Sequence, residues 1–125
     1  MNVRIADYAY IFVTVGLTVY GQLILKWRIG VHGALPVEAF AKLKFVALLL
    51  LDPFIFSGFV AAFGAALAWM VAISRFELSY AYPFMALNFV LVLLLSVWLL
   101  KEPVSGTRAL GVTLIVFGTL ISAIR

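Results

Sequence analysis

Residues 78–100 read LSYAYPFMALNFVLVLLLSVWLL, 23 consecutive positions without Asp, Glu, Lys or Arg. At about 1.5 Å of rise per residue, a helix of that length crosses a hydrocarbon core of about 30 Å. Backbone donors and acceptors in lipid must pair within the spanning segment, and the run is far too long for a barrel strand, so it is a transmembrane helix. Outward from it the same pattern recurs. All 14 charged residues lie outside this window and three others, 8–25, 53–74 and 109–124. The last holds 16 residues and needs its flank. Extension to Ser105 brings Arg108 inside near one end, where a long side chain snorkels its guanidinium to the headgroups. The expectation is an all-α membrane protein, one transmembrane domain with four spans over about 8–27, 53–74, 78–100 and 105–124.

Composition agrees. Of 125 residues 66% are hydrophobic and 11% charged, against roughly 45–50% and about 25% in soluble domains. So little charge excludes a soluble globular chain, and so much apolar content excludes disorder. The lack of cysteine removes disulfides, thiolate metal sites and a cysteine nucleophile. Arg4 ahead of an apolar run raises a secretory signal as an alternative. Lys26, Trp27 and Arg28 close that run where small cleavage-site residues would stand, so it is read as a permanent helix.

The link from Val31 to Asp52 opens on the breakers Gly33 and Pro36 and then turns apolar over only seven residues, Phe45 to Leu51. That is too short to span. An interfacial helix over about 36–51 follows, with Glu38 and Lys42 in register for a helical pair, Phe40, Leu43 and Ala47 on one face, and Asp52-Pro53 as its stop. If the spans alternate, one side carries Arg4, Arg75 and Arg125 and the other Lys26, Arg28, Lys42, Lys44, Lys101 and Arg108. The positive-inside rule then favours both termini outside.

Polar groups are costly in lipid, so their positions inform. Thr14, Thr18, Gln22 and Lys26 recur every four residues along the first span, beside Gly21. The stripe is either interhelical glue or the wall of a substrate pathway. Gly58, Ala61, Ala62, Ala65, Ala68 and Ala72 give the second span a small-residue packing face, with Trp69 near its far end. The third span opens on Ser79-Tyr80-Ala81-Tyr82-Pro83, where Pro83 frees the Ser79 carbonyl and bends the first turns. Asn88 follows as glue or as a substrate contact. Gly111, Ile115, Gly118 and Ser122 make a narrow seam on the fourth span, suited to helix packing or a dimer. His32, the sole histidine, is read as solvated in a loop, and Glu102 as a surface carboxylate. Metal-ligand clusters, phosphate-cradling glycine loops and nucleic-acid-binding basic patches are not found, so the expectation is neither an enzyme nor a cofactor protein.

At Ala81-Tyr82-Pro83, Leu87-Asn88-Phe89-Val90, Glu102-Pro103-Val104-Ser105, and Arg108, Gly111, Ile115 and Gly118, the sequence resembles the small four-helix members of the drug/metabolite transporter superfamily, the EamA and small multidrug resistance type. Gly21-Gln22 and Lys26 extend the likeness. Within that group it is most similar to aminoarabinose-phosphoundecaprenol flippase subunits of the Arn type. The small multidrug antiporters carry a proton-coupling glutamate eight residues before a lysine like Lys26. Here that position is Thr18, which cannot titrate.

The resemblance implies transport of a lipid-linked sugar phosphate across the bacterial inner membrane by a homodimer or a heterodimer with a related small subunit. Thr18, Gln22 and Asn88 would bond the head group. Tyr80 or Tyr82 and Trp69 would wall the sugar, Lys26 and Arg75 would attract the phosphate, and Glu102 would meet an amino group or pair with Lys101 or Arg108. An organic-cation exporter on the same fold, or a non-transport subunit of a glycolipid assembly enzyme, are the competing functions. The first of these lacks a membrane-embedded acid.

Overall fold

The computed structural model describes residues 5–124. Arg4 and Arg125, both used in the orientation count, lie outside the described residues. Within them the regular elements are all helical: α1 Ile5–His32, α2 Ala39–Leu49, α3 Pro53–Arg75, α4 Leu78–Ala81, a 3₁₀ turn Tyr82–Ala86, α5 Leu87–Leu99 and α6 Gly106–Ala123. Four stretches are long and apolar enough to cross a membrane: α1, α3, the continuous run 78–99, and α6. The protein is a multi-pass membrane protein.

Local chemistry explains the boundaries. Asp52 caps α3 by accepting the Phe54 N–H at 2.8 Å, with Pro53 in the first helical position, where its missing donor costs nothing. Ser105 caps α6 by accepting from the Arg108 N–H. Pro83 converts the start of the third span into 3₁₀ geometry before α5 resumes. The Thr119 hydroxyl of α6 lies 2.9 Å from its own Ile115 carbonyl and 3.3 Å from the Pro83 carbonyl, tying α6 to that turn.

The tightest packing joins α1 to α3. Gly58, Ala61, Ala65 and Ala72 are buried, while Ala68 is half-buried and Ala62 faces outward. A Cβ on Gly21 would lie 3.1 Å from the Gly58 carbonyl oxygen, so the glycines let two backbones touch. By contrast α5 and α6 contain no buried residue.

A helix forms in this link, α2, shorter than the expected 36–51, with Leu49 as its buried residue and Phe40 and Leu43 exposed. Among the described residues Glu38 and Lys42 form no ion pair; the Lys42 N–H donates to the Glu38 carbonyl instead.

Candidate functional site

The four-residue stripe of α1 faces a matching stripe on α5. Thr18 and Gln22 share one groove with Asn88, Val92 and Ser96, which repeat every four residues, and with Glu102, Arg108 and Val112. The groove holds about 580 Å³. An adjoining chamber of about 300 Å³ continues from Gln22, Ser96 and Glu102 to Lys26. Of the residues expected at the site, Thr18, Gln22, Lys26, Asn88 and Glu102 are thus brought together. Thr14 is not among them: it is buried and its hydroxyl donates to the Tyr10 carbonyl at 2.7 Å.

Asn88 carries the most telling atom. Its Oδ1 is buried and, among the described residues, has no hydrogen-bond partner. An unpaired amide oxygen in an apolar surrounding costs about 1–3 kcal/mol.

Glu102 is set by backbone geometry. Lys101 adopts a positive φ of 56°, and the Glu102 N–H turns back to the Ser96 carbonyl at 3.1 Å. That hairpin return brings the carboxylate to the groove. Among the described residues it pairs with neither Lys101 nor Arg108. Sequence reasoning missed Ser96 and Arg108 as lining residues. Ser96 was signalled by its spacing of eight from Asn88, and Arg108 by its place one turn into α6.

Trp69, Tyr80 and Tyr82 lie elsewhere. Tyr80 and Tyr8 share a hydrogen bond between hydroxyls at 3.0 Å, Phe76 and Phe84 stack on both, and the Trp69 and Tyr82 rings meet edge to face at 6.0 Å. This cluster sits at the Tyr8 end of α1. Lys26 is 18 residues further along that helix, a separation of about 27 Å at 1.5 Å per residue. Arg75 belongs to the aromatic end as well, with its Nε 3.7 Å from buried Asp7. The two cations considered for a phosphate therefore stand at opposite ends of the bundle.

At the Lys26 end a further cluster was not foreseen. His32 is the last residue of α1 rather than a loop residue, and its Nε2 donates to Asp52 Oδ2 at 2.6 Å. Arg28, one turn earlier, reaches the same oxygen at 2.8 Å and lies over the Trp27 and Phe54 rings. The His32 bond, then Arg28 and the Phe54 amide, hold the Asp52 carboxyl far below its ordinary value of 3.8, against an opposing push from burial. This clamp closes the link between the first two spans.

The seam of α6 is only partly covered among the described residues. A Cβ on Gly111 or Gly118 would find open space, Ile115 is half-buried, and Ser122 is exposed. Among the described residues no group of three or more His, Asp or Glu could hold a metal ion.

Comparison with known proteins gives consistent results. The chain is 35% identical over 119 residues to a protein of Sodalis glossinidius, covering 94% of this chain and 97% of that one. A Pseudomonas syringae pv. syringae protein is 34% identical, with 82% and 86% covered, and a Pseudomonas fluorescens protein 30% identical, with 85% and 87% covered. All three bear the name "Probable 4-amino-4-deoxy-L-arabinose-phosphoundecaprenol flippase subunit ArnE". No family model matches the chain. No solved structure matches it either.

Proposed function

Because the chain belongs to the family of ArnE flippase subunits, we propose that it is a transporter subunit, not an enzyme, that moves a polyprenyl-phosphate-linked amino sugar across the bacterial inner membrane. The observation that carries this reading is the groove of Thr18, Gln22 and Asn88 with Lys26, Glu102 and Arg108 at its end. A sugar presents hydroxyls that donate and accept. Gln22 offers two donors and two acceptor sites, and the unpartnered Asn88 oxygen takes one donor.

The charges suit the rest of the head group. Lys26 and Arg108 attract the phosphate, and Glu102 accepts from the ammonium on the sugar. Neutral polar groups occupy the middle of the path, where a fixed charge would cost most. At the far end the exposed Tyr82 ring, beside Trp69, offers a face to the arriving sugar, and Tyr80 backs that wall from the aromatic cluster. The domain is a single four-helix unit that works as a dimer, with a second copy or a related small subunit seated on the α6 seam, because Gly111 and Gly118 have open space before them.

The test is transport in vesicles. Purified protein, alone and with a related small subunit, is reconstituted with aminoarabinose-phosphoundecaprenol on one leaflet, and its appearance on the other is trapped enzymatically. Acceleration over empty vesicles is expected; a rate equal to theirs with both subunits present overturns the reading.

A further inference from the structure

A second cleft runs along α1 beside the polar groove, and its chemistry is the opposite. Tyr20, Leu23, Ile24, Trp27, Leu99 and Leu100 line a half-open, mostly apolar space of about 360 Å³. It lies between the ends of α1 and α5. Leu23 and Leu100 also line the chamber of Lys26 and Glu102, so the apolar cleft and the charged chamber meet at these two side chains. Lys26 and Trp27 are neighbours in sequence, and successive helical residues point about 100° apart. One therefore serves the chamber while the other walls the cleft.

From this continuity we infer that the cleft seats the first isoprene units of the polyprenyl chain, with the phosphate at Lys26 and the sugar beyond it in the groove. The inference rests on the proposed flippase function and adds to it a binding site for the tail. An apolar cavity of about 150 Å³ accepts one benzene ring, so 360 Å³ takes about two or three five-carbon units. Hydrophobicity alone gives no preference for such a site, since lipid tails are as apolar as leucine. Selectivity must come from shape. Two aromatic walls, Tyr20 and Trp27, stand against a chain whose methyl branches and double bonds differ from straight acyl tails. Tyr20 is fixed from behind by its hydroxyl, 2.8 Å from Ser57 Oγ. Trp27 is held by the Phe54 ring at 5.4 Å and by the Arg28 guanidinium above it. Both walls are thus fixed without the ligand.

The tail would also decide which substrates enter. A free sugar phosphate fits the groove but leaves the cleft empty, and a straight-chain phospholipid brings phosphate without the branched tail.

The experiment uses the full chain in lipid nanodiscs with an undecaprenyl phosphate carrying a photoreactive diazirine on its first isoprene unit. Adducts mapped by mass spectrometry are expected at Leu23, Trp27, Leu99 and Leu100. Excess unlabelled undecaprenyl phosphate should reduce them several-fold, while equal dodecyl phosphate or inorganic phosphate should not. Leu99→Trp, which fills the cleft from an exposed position, should reduce them several-fold with the helix content unchanged. Adducts spread equally over outward residues such as Phe59, Phe63 and Phe117, or equal competition by dodecyl phosphate, overturn the cleft assignment. Transport in vesicles is read separately: transport with scattered adducts overturns the cleft alone, and cleft adducts without transport support the tail site while overturning the flippase reading.

Discussion

The Nε2 of His32 lies 2.6 Å from Oδ2 of Asp52, joining the last residue of α1 to the cap of α3 across a link of 20 residues. Arg28 adds a second bond to the same oxygen. The Asp52 carboxyl is depressed chiefly by the His32 bond, so the folded state binds its proton less readily than the unfolded chain. Its contribution to stability is full above about pH 4, the unfolded carboxylate value, and is lost as the pH falls from there toward the folded value. Thermal unfolding in detergent followed by circular dichroism should show this loss in the parent protein. Asp52→Asn should melt lower than the parent at pH 7 and lose its acid dependence over that window. An unchanged pH profile would show that the clamp does not bear on stability.

The α1–α3 contact makes a second expectation. A Cβ on Gly58 would stand 2.7 Å from Ile24 Cγ2, a branch fixed directly on Cβ and stiff within a helix. Gly58→Ala should therefore destabilise by about 1–3 kcal/mol, as overpacking does. Adding Ile24→Leu moves the branch outward and should restore part of the loss. Melting of the single and double variants decides it; an additive loss in the double variant would place the strain elsewhere.

How far these relationships could be read from residues alone depends on what each one requires. The spans follow from the placement of charge, because lipid penalises every misplaced one. The 3₁₀ turn at 82–86 follows from Pro83. Thr18, Gln22 and Asn88 come together because stripes of period four on two helices must face each other or lipid, while Glu102 arrives by the turn at Lys101. The Asp52 clamp was hidden, although Arg28 and His32 stand four apart on one face of α1. Nothing in a linear reading says that the first helix runs on to residue 32, past Gly30, which earned His32 a place in a loop. The split between the groove and the aromatic end was hidden for a similar reason. Residues close in sequence to Asn88 lie across the proline turn instead, Tyr80 on Tyr8 and Tyr82 on Trp69.

Open space before Gly111 and Gly118 bears on assembly. Within one chain a Cβ at either position meets no atom within 4 Å, so Gly111→Leu and Gly118→Leu should change monomer stability by no more than about 1 kcal/mol, the scale of the helix-propensity difference. At an interface between chains the same bulk separates the helices, and self-association or pairing with a related subunit should weaken by about tenfold, roughly 1.4 kcal/mol. Energy transfer between labelled chains in bilayers measures this. Undiminished pairing in both variants would move the contact off the seam.

Gln22 and Asn88 allow the sharpest separation of transport from packing. A residue that glues helices loses a hydrogen bond when truncated, and the bundle loses stability. Among the described residues Asn88 Oδ1 has no such bond. Asn88→Leu therefore removes an unsatisfied buried oxygen, and the melting midpoint should hold or rise by the equivalent of about 1 kcal/mol. Transport should nonetheless fall about tenfold, the loss of roughly 1.4 kcal/mol of head-group contact at the barrier. Gln22→Ala should lower transport similarly, with membrane yield and pairing near those of the parent. A lowered midpoint in Asn88→Leu, with transport per folded protein unchanged, would make Asn88 a packing residue and leave the groove without its central contact.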